Sequence, residues 1–264
     1  PAVVTVHDII PFIAPDLVSR TLYVQLALRM PRVLRKAHKV ICISKWTERT
    51  LVQRFPQALG KTVIVPCGFP SAKVNERMRP ADEMLRVLTV SRHEKYKHLQ
   101  ILEQLVHKYE GNPRIQFTLV TDDFGRKWAE QAIQRGIAQG RISVHTSLSE
   151  GQLATCYQTH DVLLHPSKFE GFCLPAAEAQ SHGLPVIYAA GSGIDEVVAE
   201  GAAIAEASAD SPEAWGNALE QMRQRVENRD FRQQVWEKVR SRPTWREAAN
   251  SIKKVYNDLK LSIT

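Results

Sequence analysis

The sequence predicts an α/β fold in which helices cover both faces of a parallel sheet. Short apolar segments with strand character alternate along the chain with segments of amphipathic helical pattern. No internal repeat or low-complexity tract interrupts this alternation. The chain has 264 residues, of which 44% are hydrophobic, and this is enough to form a substantial core.

The predicted strands are short apolar runs rich in β-branched residues. They are Val3–Val6, Val40–Ile43, Val63–Val65, Arg86–Ser91, Ile115–Thr121, Ile142–Val144, Asp161–His165 and Pro185–Tyr188. Helical patterns fill the intervals between them. These are Thr21–Lys36, Lys45–Arg54, Leu99–Tyr109, Arg126–Ala138, Glu150–Tyr157 and Ala176–Ser181, followed by three helices from Pro212 onward.

Composition limits the classes of function. The net charge of +7 suits anionic partners, but the basic residues are spread along the chain without an RNP motif, a zinc finger or a helix-turn-helix frame. Nucleic acid is therefore not an expected partner. We also expect neither a membrane-spanning helix nor a signal peptide, since the sequence has no run of about 18 uncharged apolar residues and no charged-then-apolar leader.

The four cysteines, Cys42, Cys67, Cys156 and Cys173, lie far apart and form no C-x-x-C pair. They have no companion histidine at zinc spacing. This pattern is typical of reduced, mostly buried thiols in a cytosolic protein.

Two glutamates, Glu170 and Glu178, stand eight positions apart across a Gly-Phe-Cys-Leu-Pro turn. A predicted strand precedes them, and Pro175 stands where a helix would begin. In open α/β sheets, ligands bind at the carboxyl ends of strands, where the free N–H groups of a helix N-terminus favour phosphate oxygens. The segment therefore predicts a nucleotide-sugar site in outline.

The Glu-x7-Glu spacing and its Glu-Gly-Phe-x-Leu-Pro frame resemble the signature of retaining glycosyltransferases with the GT-B fold, most closely family 4. Other segments follow the order of that family, and together they cover nearly the whole chain. They are His7-Asp8, Ile43–Lys45, Val63–Phe69, Ser91–Leu99, Ser149–Tyr157 and Thr244–Arg246. The stretch from His7 to Phe12 resembles mannosyltransferases in particular.

The resemblance implies doubly wound, Rossmann-like sheets and three units. Residues 1–66 would be the C-terminal part of an N-terminal acceptor domain, and 67–243 a complete donor-binding domain. Residues 244–264 would form a helix that crosses back to the first domain. Pro66 to Asp82 is the predicted linker, because glycine, prolines and polar residues interrupt the periodicity there. Since family members are longer, we expect this chain to be part of a longer protein with its first domain truncated.

The resemblance also assigns roles around the donor. Glu178 would accept hydrogen bonds from the ribose hydroxyls, and Glu170 would contact hydroxyls of the donor sugar. Gly171 and the backbone of Phe172, Cys173 and Leu174 would offer N–H groups to sugar and phosphate. The family usually has glycine at position 173. A cysteine there is either a tolerated small residue or one that narrows the approach to phosphate.

Arg92 and Lys97 follow a predicted strand and, by the resemblance, would stabilise the charge on the leaving diphosphate. Lys95 is the alternative to Lys97 in this role. His7 would approach the primary hydroxyl of the donor sugar, or would be a turn residue only. Asp8 is as consistent with a turn or N-cap role as with the site.

We expect no essential metal and no cofactor other than the donor substrate. Thr121-Asp122-Asp123 lacks the D-x-D spacing that holds a metal-diphosphate, and GT-B enzymes generally need no bound cation. By the resemblance, Val144–Ser149 would contact the base, largely through its backbone.

The segment from Arg20 to Lys39 mixes apolar residues with six lysines and arginines. Such a basic amphipathic surface can lie on an anionic membrane, and packing against the remainder of the first domain is the alternative use. Pro31 is expected to break or kink the helix here.

The sequence thus predicts a retaining hexosyltransferase that uses a nucleoside-diphosphate sugar, with GDP-mannose as the first choice. The acceptor would be a glycan or a lipid-linked glycan in polysaccharide or glycoconjugate assembly. The protein would be cytoplasmic, at the inner face of the cell membrane if it binds lipid. The alternatives are a sugar-nucleotide epimerase, a glycogen-type synthase, or a non-catalytic module that binds nucleotide sugars.

Overall fold

A computed structural model describes residues 2–72, 84–122, 131–206, 210–228 and 230–261. The described strands form two parallel sheets. The smaller sheet has three strands in the order β1-β2-β3. Their bounds are β1 Val3–Val6, β2 Lys39–Cys42 and β3 Thr62–Ile64.

The larger sheet has six strands in the order β6-β5-β4-β7-β8-β9. Their bounds are β4 Leu85–Val90, β5 Ile115–Thr121, β6 Ile142–Thr146, β7 Val162–His165, β8 Val186–Ala189 and β9 Ala203–Glu206. The chain builds outward from β4 to β6 and then returns to place β7 on the other side of β4. This reversal opens a crevice beyond the carboxyl ends of β4 and β7, where doubly wound sheets bind ligands.

Helices connect the strands and cover the sheets, so the predicted parallel-sheet α/β class is confirmed. With the small sheet lie α1 Ile10–Ile13, α2 Arg20–Lys36 and α3 Lys45–Arg54. With the large sheet lie α4 Gln100–Lys108, α5 Gln131–Ala138, α6 Glu150–Thr159, α7 Leu174–Ser181, α8 Pro212–Val226 and α9 Phe231–Val239. The last helix described is α10, Trp245–Leu261.

The structure differs from the sequence prediction at several elements. β9 was not predicted, because Ala203–Glu206 is short and poor in β-branched residues. Helix α2 continues through Pro31, so the expected break is wrong: proline removes one main-chain hydrogen bond, but its fixed φ is helical. The predicted helix 126–138 is seen from Gln131 onward, and its first part lies outside the described residues.

Each sheet has its own buried core. Around the large sheet the core includes the fully buried side chains Trp215 and Phe117. Around the small sheet it includes Leu34, Val40 and Leu51. Helix α10 returns to the small sheet, where Val255 packs with Ile41 and Val65.

The chain passes between the sheets at two points that lie side by side. Phe69 forms a parallel bridge with Thr244, and its N–H donates to the Pro243 carbonyl at 2.8 Å. A side chain at Gly68 would overlap the backbone of Trp245, so glycine is required at this approach. Residues 73–82 of the predicted linker lie outside the described residues.

None of the described helices combines the length and the apolar character that crossing a bilayer would require.

Candidate functional site

The loop after β7 meets the loop after β4 at the crevice between these two strands. β7 ends at His165, the loop carries Glu170, and α7 begins at Leu174 with Pro175 in its first turn. The N-cap residue, Cys173, has φ 82°, a left-handed conformation that glycine adopts more readily than cysteine. The sequence therefore places the Glu-x7-Glu segment at a strand-to-helix step, as predicted.

Glu170 is a buried carboxylate held by two basic side chains. Its Oε1 lies 2.7 Å from Lys97 Nζ and 2.6 Å from His165 Nε2. Burial alone would raise the pKa of Glu170, but the hydrogen bonds and charges of His165 and Lys97 outweigh it and lower the pKa to about 2. Glu170 is thus a fixed negative charge at neutral pH.

Lys97 is the basic residue of its loop that reaches this carboxylate. Burial acts to lower the pKa of Lys97, whereas the charge of Glu170 raises it, and the net shift is upward. Lys95, the alternative considered from the sequence, is exposed. Arg92 is also exposed, with 80% of its side chain accessible, and its Nε lies 4.0 Å from Asp122. The described contacts therefore bring Lys97, but not Arg92, to Glu170.

Glu178 lies about one turn into α7, as predicted, in a different environment. The phenol of Tyr157, from α6, donates to Glu178 Oε2 at 2.7 Å. Burial raises the pKa of Glu178, and the bond from Tyr157 offsets this only in part. Tyr157 itself is buried and stacks on His182, with ring centroids 5.8 Å apart. The carboxylate is thus oriented by a neutral donor.

Gly171 lies where the loop meets the small sheet. A Cβ on Gly171 would overlap the carbonyl oxygen of His7, and a Cβ on Gly193 would overlap the carbonyl of Gly171. The side chain of His7 is exposed, so its described contact with the loop is through the main chain. Asp8 Oδ1 accepts from Ile10 N at 3.0 Å, the turn role considered for it.

The next three residues of the loop differ in exposure. Phe172 is buried and meets Phe69 edge-on, with ring centroids 6.2 Å apart. Cys173 is buried too, and burial raises the pKa of its thiol well above the usual value. Leu174 is 39% exposed at the first position of α7.

Sequence reasoning missed several residues that hold this site. His165 binds Glu170, the hydroxyl of Ser192 accepts from Glu170 N at 3.2 Å, and Glu196 bonds to the start of α3. The position of His165 at the end of a predicted strand could have marked it. Ser192 and Glu196 carry no such signal, because their partners are distant in sequence.

Comparison with known proteins identifies the family. The profile of the family described as "Glycosyl transferases group 1" matches residues 74–242. The chain belongs to this family. The predicted family of group 1, family 4-like glycosyltransferases is therefore confirmed.

Two curated mannosyltransferases are similar to this group 1 chain. The "O-antigen chain mannosyltransferase B" of Escherichia coli is 23% identical over 201 residues, which are 70% of this chain and 52% of that protein. The "GDP-mannose-dependent alpha-mannosyltransferase" of Corynebacterium glutamicum is 34% identical over 77 residues, 29% of this chain and 17% of that protein. This chain thus spans about half the length of the first relative and a smaller part of the second.

Solved structures share the fold. A sucrose-phosphate synthase from Thermosynechococcus elongatus has a TM-score of 0.77 at 23% identity, over 98% of this chain and 68% of that one. Anabaena Alr3699/HepE, solved in complex with UDP and glucose, has a TM-score of 0.75 at 20% identity, over 98% and 72% of the two chains. The two parallel sheets of the group 1 chain are of the GT-B type, as the resemblance implied.

Among the described residues, His165, Glu170 and Cys173 place potential metal-ligand atoms within 4.8 Å of one another. The ammonium of Lys97 already pairs with Glu170 in this cluster. Of the acidic pair considered from the sequence, Asp122 is 55% exposed, and Asp123 lies outside the described residues. The absence of an essential metal stays a prediction for this family member.

Proposed function

We propose that the protein is a retaining glycosyltransferase that moves a hexose, with mannose from GDP-mannose as the first choice, to an acceptor hydroxyl. The observation that carries the proposal is the buried ion pair of Lys97 and Glu170, beside the N-terminus of α7 and with Glu178 one turn further on. Family membership and the two mannosyltransferase relatives support the choice of donor.

On this proposal the nucleotide lies along the start of α7. Glu178 accepts from the ribose hydroxyls, and Tyr157 keeps its carboxylate in place. The first N–H groups of α7, near Gly171 and Leu174, face the phosphates, where the positive end of the helix dipole favours anions.

Charge on the departing diphosphate is met by basic side chains. Lys97 is fixed by Glu170, so its ammonium needs no reorganisation when charge develops nearby. Arg92 is exposed beyond the end of β4 and would approach the diphosphate when it binds. Retention follows if the leaving phosphate helps to deprotonate the acceptor on the same face, and no enzyme nucleophile is then required.

On this proposal, the part of the chain around each sheet binds a different substrate. We call residues 2–66 the acceptor half and residues 67–243 the donor half, and α10 (Trp245–Leu261) returns to the acceptor half. The acceptor is a glycan or a lipid-linked glycan, met from the acceptor half, in which the predicted role of His7 toward the donor sugar also lies.

Helix α2 supports association with the inner face of an anionic membrane. It exposes Leu22, Val24, Leu28 and Val33 among arginines, a surface suited to acidic lipid headgroups.

A calorimetric panel of GDP, UDP, ADP and their sugars tests the donor proposal. We expect the nucleotide that binds best to lose affinity in Glu178→Ala, because each bond from a hydroxyl to a carboxylate contributes about 1.5 to 3 kcal/mol. Glu213→Ala is the matched control, since Glu213 is an exposed glutamate in the first turn of α8. Wild-type affinity in Glu178→Ala would remove the ribose assignment.

Chelation tests the metal-free mechanism. Excess EDTA should leave transfer unchanged, since Lys97 and Arg92 supply the positive charge. Activity that is lost on chelation and restored by magnesium or manganese would contradict this.

Two further results would favour the alternative functions. Conversion of a free UDP-sugar without acceptor would indicate an epimerase, and nucleotide binding without any turnover would indicate a binding module.

A further inference from the structure

Glu196 of the donor half binds the first turn of α3 in the acceptor half. Its Oε2 accepts from Lys45 N at 2.9 Å, and its Oε1 accepts from Trp46 N at 2.7 Å. Lys45 and Trp46 are the first two residues of α3, whose N–H groups have no partner within the helix. A carboxylate at this end of a helix also meets the positive end of the helix dipole.

The turn that carries Glu196 also holds the loop between β7 and α7, residues 166–173, which we call the donor loop. Gly193 N donates to the Glu170 carbonyl at 2.8 Å, and Glu170 N donates to Ser192 Oγ at 3.2 Å. Gly193 lies so close to the Gly171 carbonyl that no side chain fits between them. Residues 192–196 therefore connect the main chain of Glu170 directly to α3.

A second contact joins α3 to the donor loop. Thr47, in the first turn of α3, is fully buried, and its Oγ1 lies 3.4 Å from the carbonyl oxygens of both His7 and Gly171. The Ser44 hydroxyl caps Thr47 N at 3.0 Å, so the N-terminus of α3 is fixed locally as well. The start of α3 is thus fixed by its own cap and by its contact with the donor loop.

We infer that Glu196 is a positioning residue for sugar transfer, which rests on the function proposed above. Its carboxylate holds the acceptor half in register with Glu170 and the donor sugar. Nucleotide affinity depends on Glu178, Lys97 and α7, which all belong to the donor half. Loss of the Glu196 bonds should therefore lower the rate of transfer and leave nucleotide affinity unchanged.

Two substitutions break the same interaction from opposite sides. Glu196→Gln keeps the size of the side chain but can accept from only one of the two N–H groups with its amide oxygen. Lys45→Pro removes the Lys45 N–H, which donates to Glu196 Oε2. Proline is compatible with the first position of α3 and with the extended backbone of Ser44 before it. The controls are Glu200→Gln, at an exposed glutamate of the same region, and Lys45→Ala, which removes only an exposed side chain.

The measurements use the full-length gene product, with GDP-mannose and UDP-glucose as donors and octyl α-mannoside as acceptor. Calorimetry gives the affinity for GDP and UDP, and hydrogen exchange gives the protection of the Lys45 and Trp46 amides. We expect kcat to fall at least about tenfold in Glu196→Gln and Lys45→Pro, as for the loss of one hydrogen bond to a charged group. Nucleotide affinity and the melting temperature should stay at the wild-type values, and the double variant should be no slower than the worse single variant.

The inference is overturned if kcat of Glu196→Gln lies within about twofold of wild type, since one lost charged hydrogen bond is expected to cost more. It is also overturned if kcat, nucleotide affinity and melting temperature fall together, because Glu196 would then serve stability alone. Absence of protection at Lys45 and Trp46 in the wild type would overturn it without any reference to activity. If the wild type shows that protection but binds neither GDP nor UDP, the proposed function fails, and the positioning role for transfer is overturned with it.

Discussion

The two glutamates of the Glu-x7-Glu segment lie in opposite electrostatic environments. Glu170 is buried between Lys97 and His165, and its pKa is lowered to about 2. Glu178 has a phenol for its partner, and burial raises its pKa. Both residues come from one loop-helix step, but their partners lie on different elements. Glu170 meets the loop after β4 and the end of β7, whereas Glu178 meets α6.

The spacing of the motif thus places the two carboxylates, whereas their neighbours determine their pKa values and their free hydrogen-bonding capacity. A carboxylate fixed by cations stays charged and in turn immobilises an ammonium. A carboxylate bonded to a neutral hydroxyl keeps acceptor capacity for further hydroxyls, as a ribose-binding residue requires.

The largest expected effect comes from removing the cation beside Glu170. Lys97→Met should lower the free energy of unfolding by about 3 to 5 kcal/mol at neutral pH, because it leaves Glu170 buried without its ammonium partner. Urea unfolding measures this. Lys95→Met, at the exposed neighbour, should change stability by less than about 0.5 kcal/mol. Equal losses in the two variants would show that the buried pair contributes nothing.

The pH dependence of stability should have opposite signs at the two glutamates. The lowered pKa of Glu170 contributes stability that is complete above its ordinary value of 4.5 and is lost as the pH falls toward 2, about 3 kcal/mol in all. The raised pKa of Glu178 means that its contribution becomes less favourable as the pH rises above 4.5.

Urea unfolding between about pH 2 and pH 7 distinguishes the two glutamates, because each shift changes the slope of stability against pH. The gap between wild type and Glu170→Gln should narrow as the pH falls below 4.5, whereas Glu178→Gln should gain stability relative to wild type above it. Parallel curves for wild type and Glu170→Gln would mean that the carboxylate is not held by charge.

A smaller effect is expected at the partner of Glu178. Tyr157→Phe should weaken nucleotide binding by about 1 kcal/mol, since the carboxylate loses the hydrogen bond that orients it. Calorimetry with the nucleotide that binds best measures this loss. Tyr256→Phe is the control at an exposed tyrosine, and it should leave the affinity unchanged. Unaltered affinity in Tyr157→Phe would show that Glu178 needs no support.

The smallest effect is expected at Cys173, between the two glutamates. Its positive φ costs an L-residue about 1 to 2 kcal/mol, and glycine avoids most of this cost. Cys173→Gly should therefore be more stable than Cys173→Ala by about 1 kcal/mol after the greater flexibility of the unfolded glycine chain is counted. Thermal unfolding of the two variants compares them directly. A more stable alanine variant would argue against strain at this position.

Much of the fold followed from the sequence, because local patterns determine it. Ile115–Thr121 and Lys45–Arg54 have the predicted bounds, and the α/β alternation and the family motifs led to the correct fold class. The strand order was not predicted, because it depends on which distant strands pair. The Glu-x7-Glu step could be placed from its flanking strand and Pro175.

The partners of the site residues could not be predicted. From the sequence Lys97 was predicted to reach the site, with Lys95 as the alternative. The 3-10 turn at Lys95–Lys97 brings Lys97 to Glu170 and leaves Lys95 exposed. Contacts such as those of Glu196 with α3 join residues 150 positions apart or more. They arise from tertiary packing, which no local pattern records.

The paired crossings at Phe69 and Thr244 have a mechanical consequence. The two connections are hydrogen-bonded side by side, so a displacement of one strains its bonds to the other. Gly68 also packs directly against the backbone of Trp245, so the two connections are in close contact as well as hydrogen-bonded. The two crossings therefore link the sheets as one coupled junction rather than as two independent tethers.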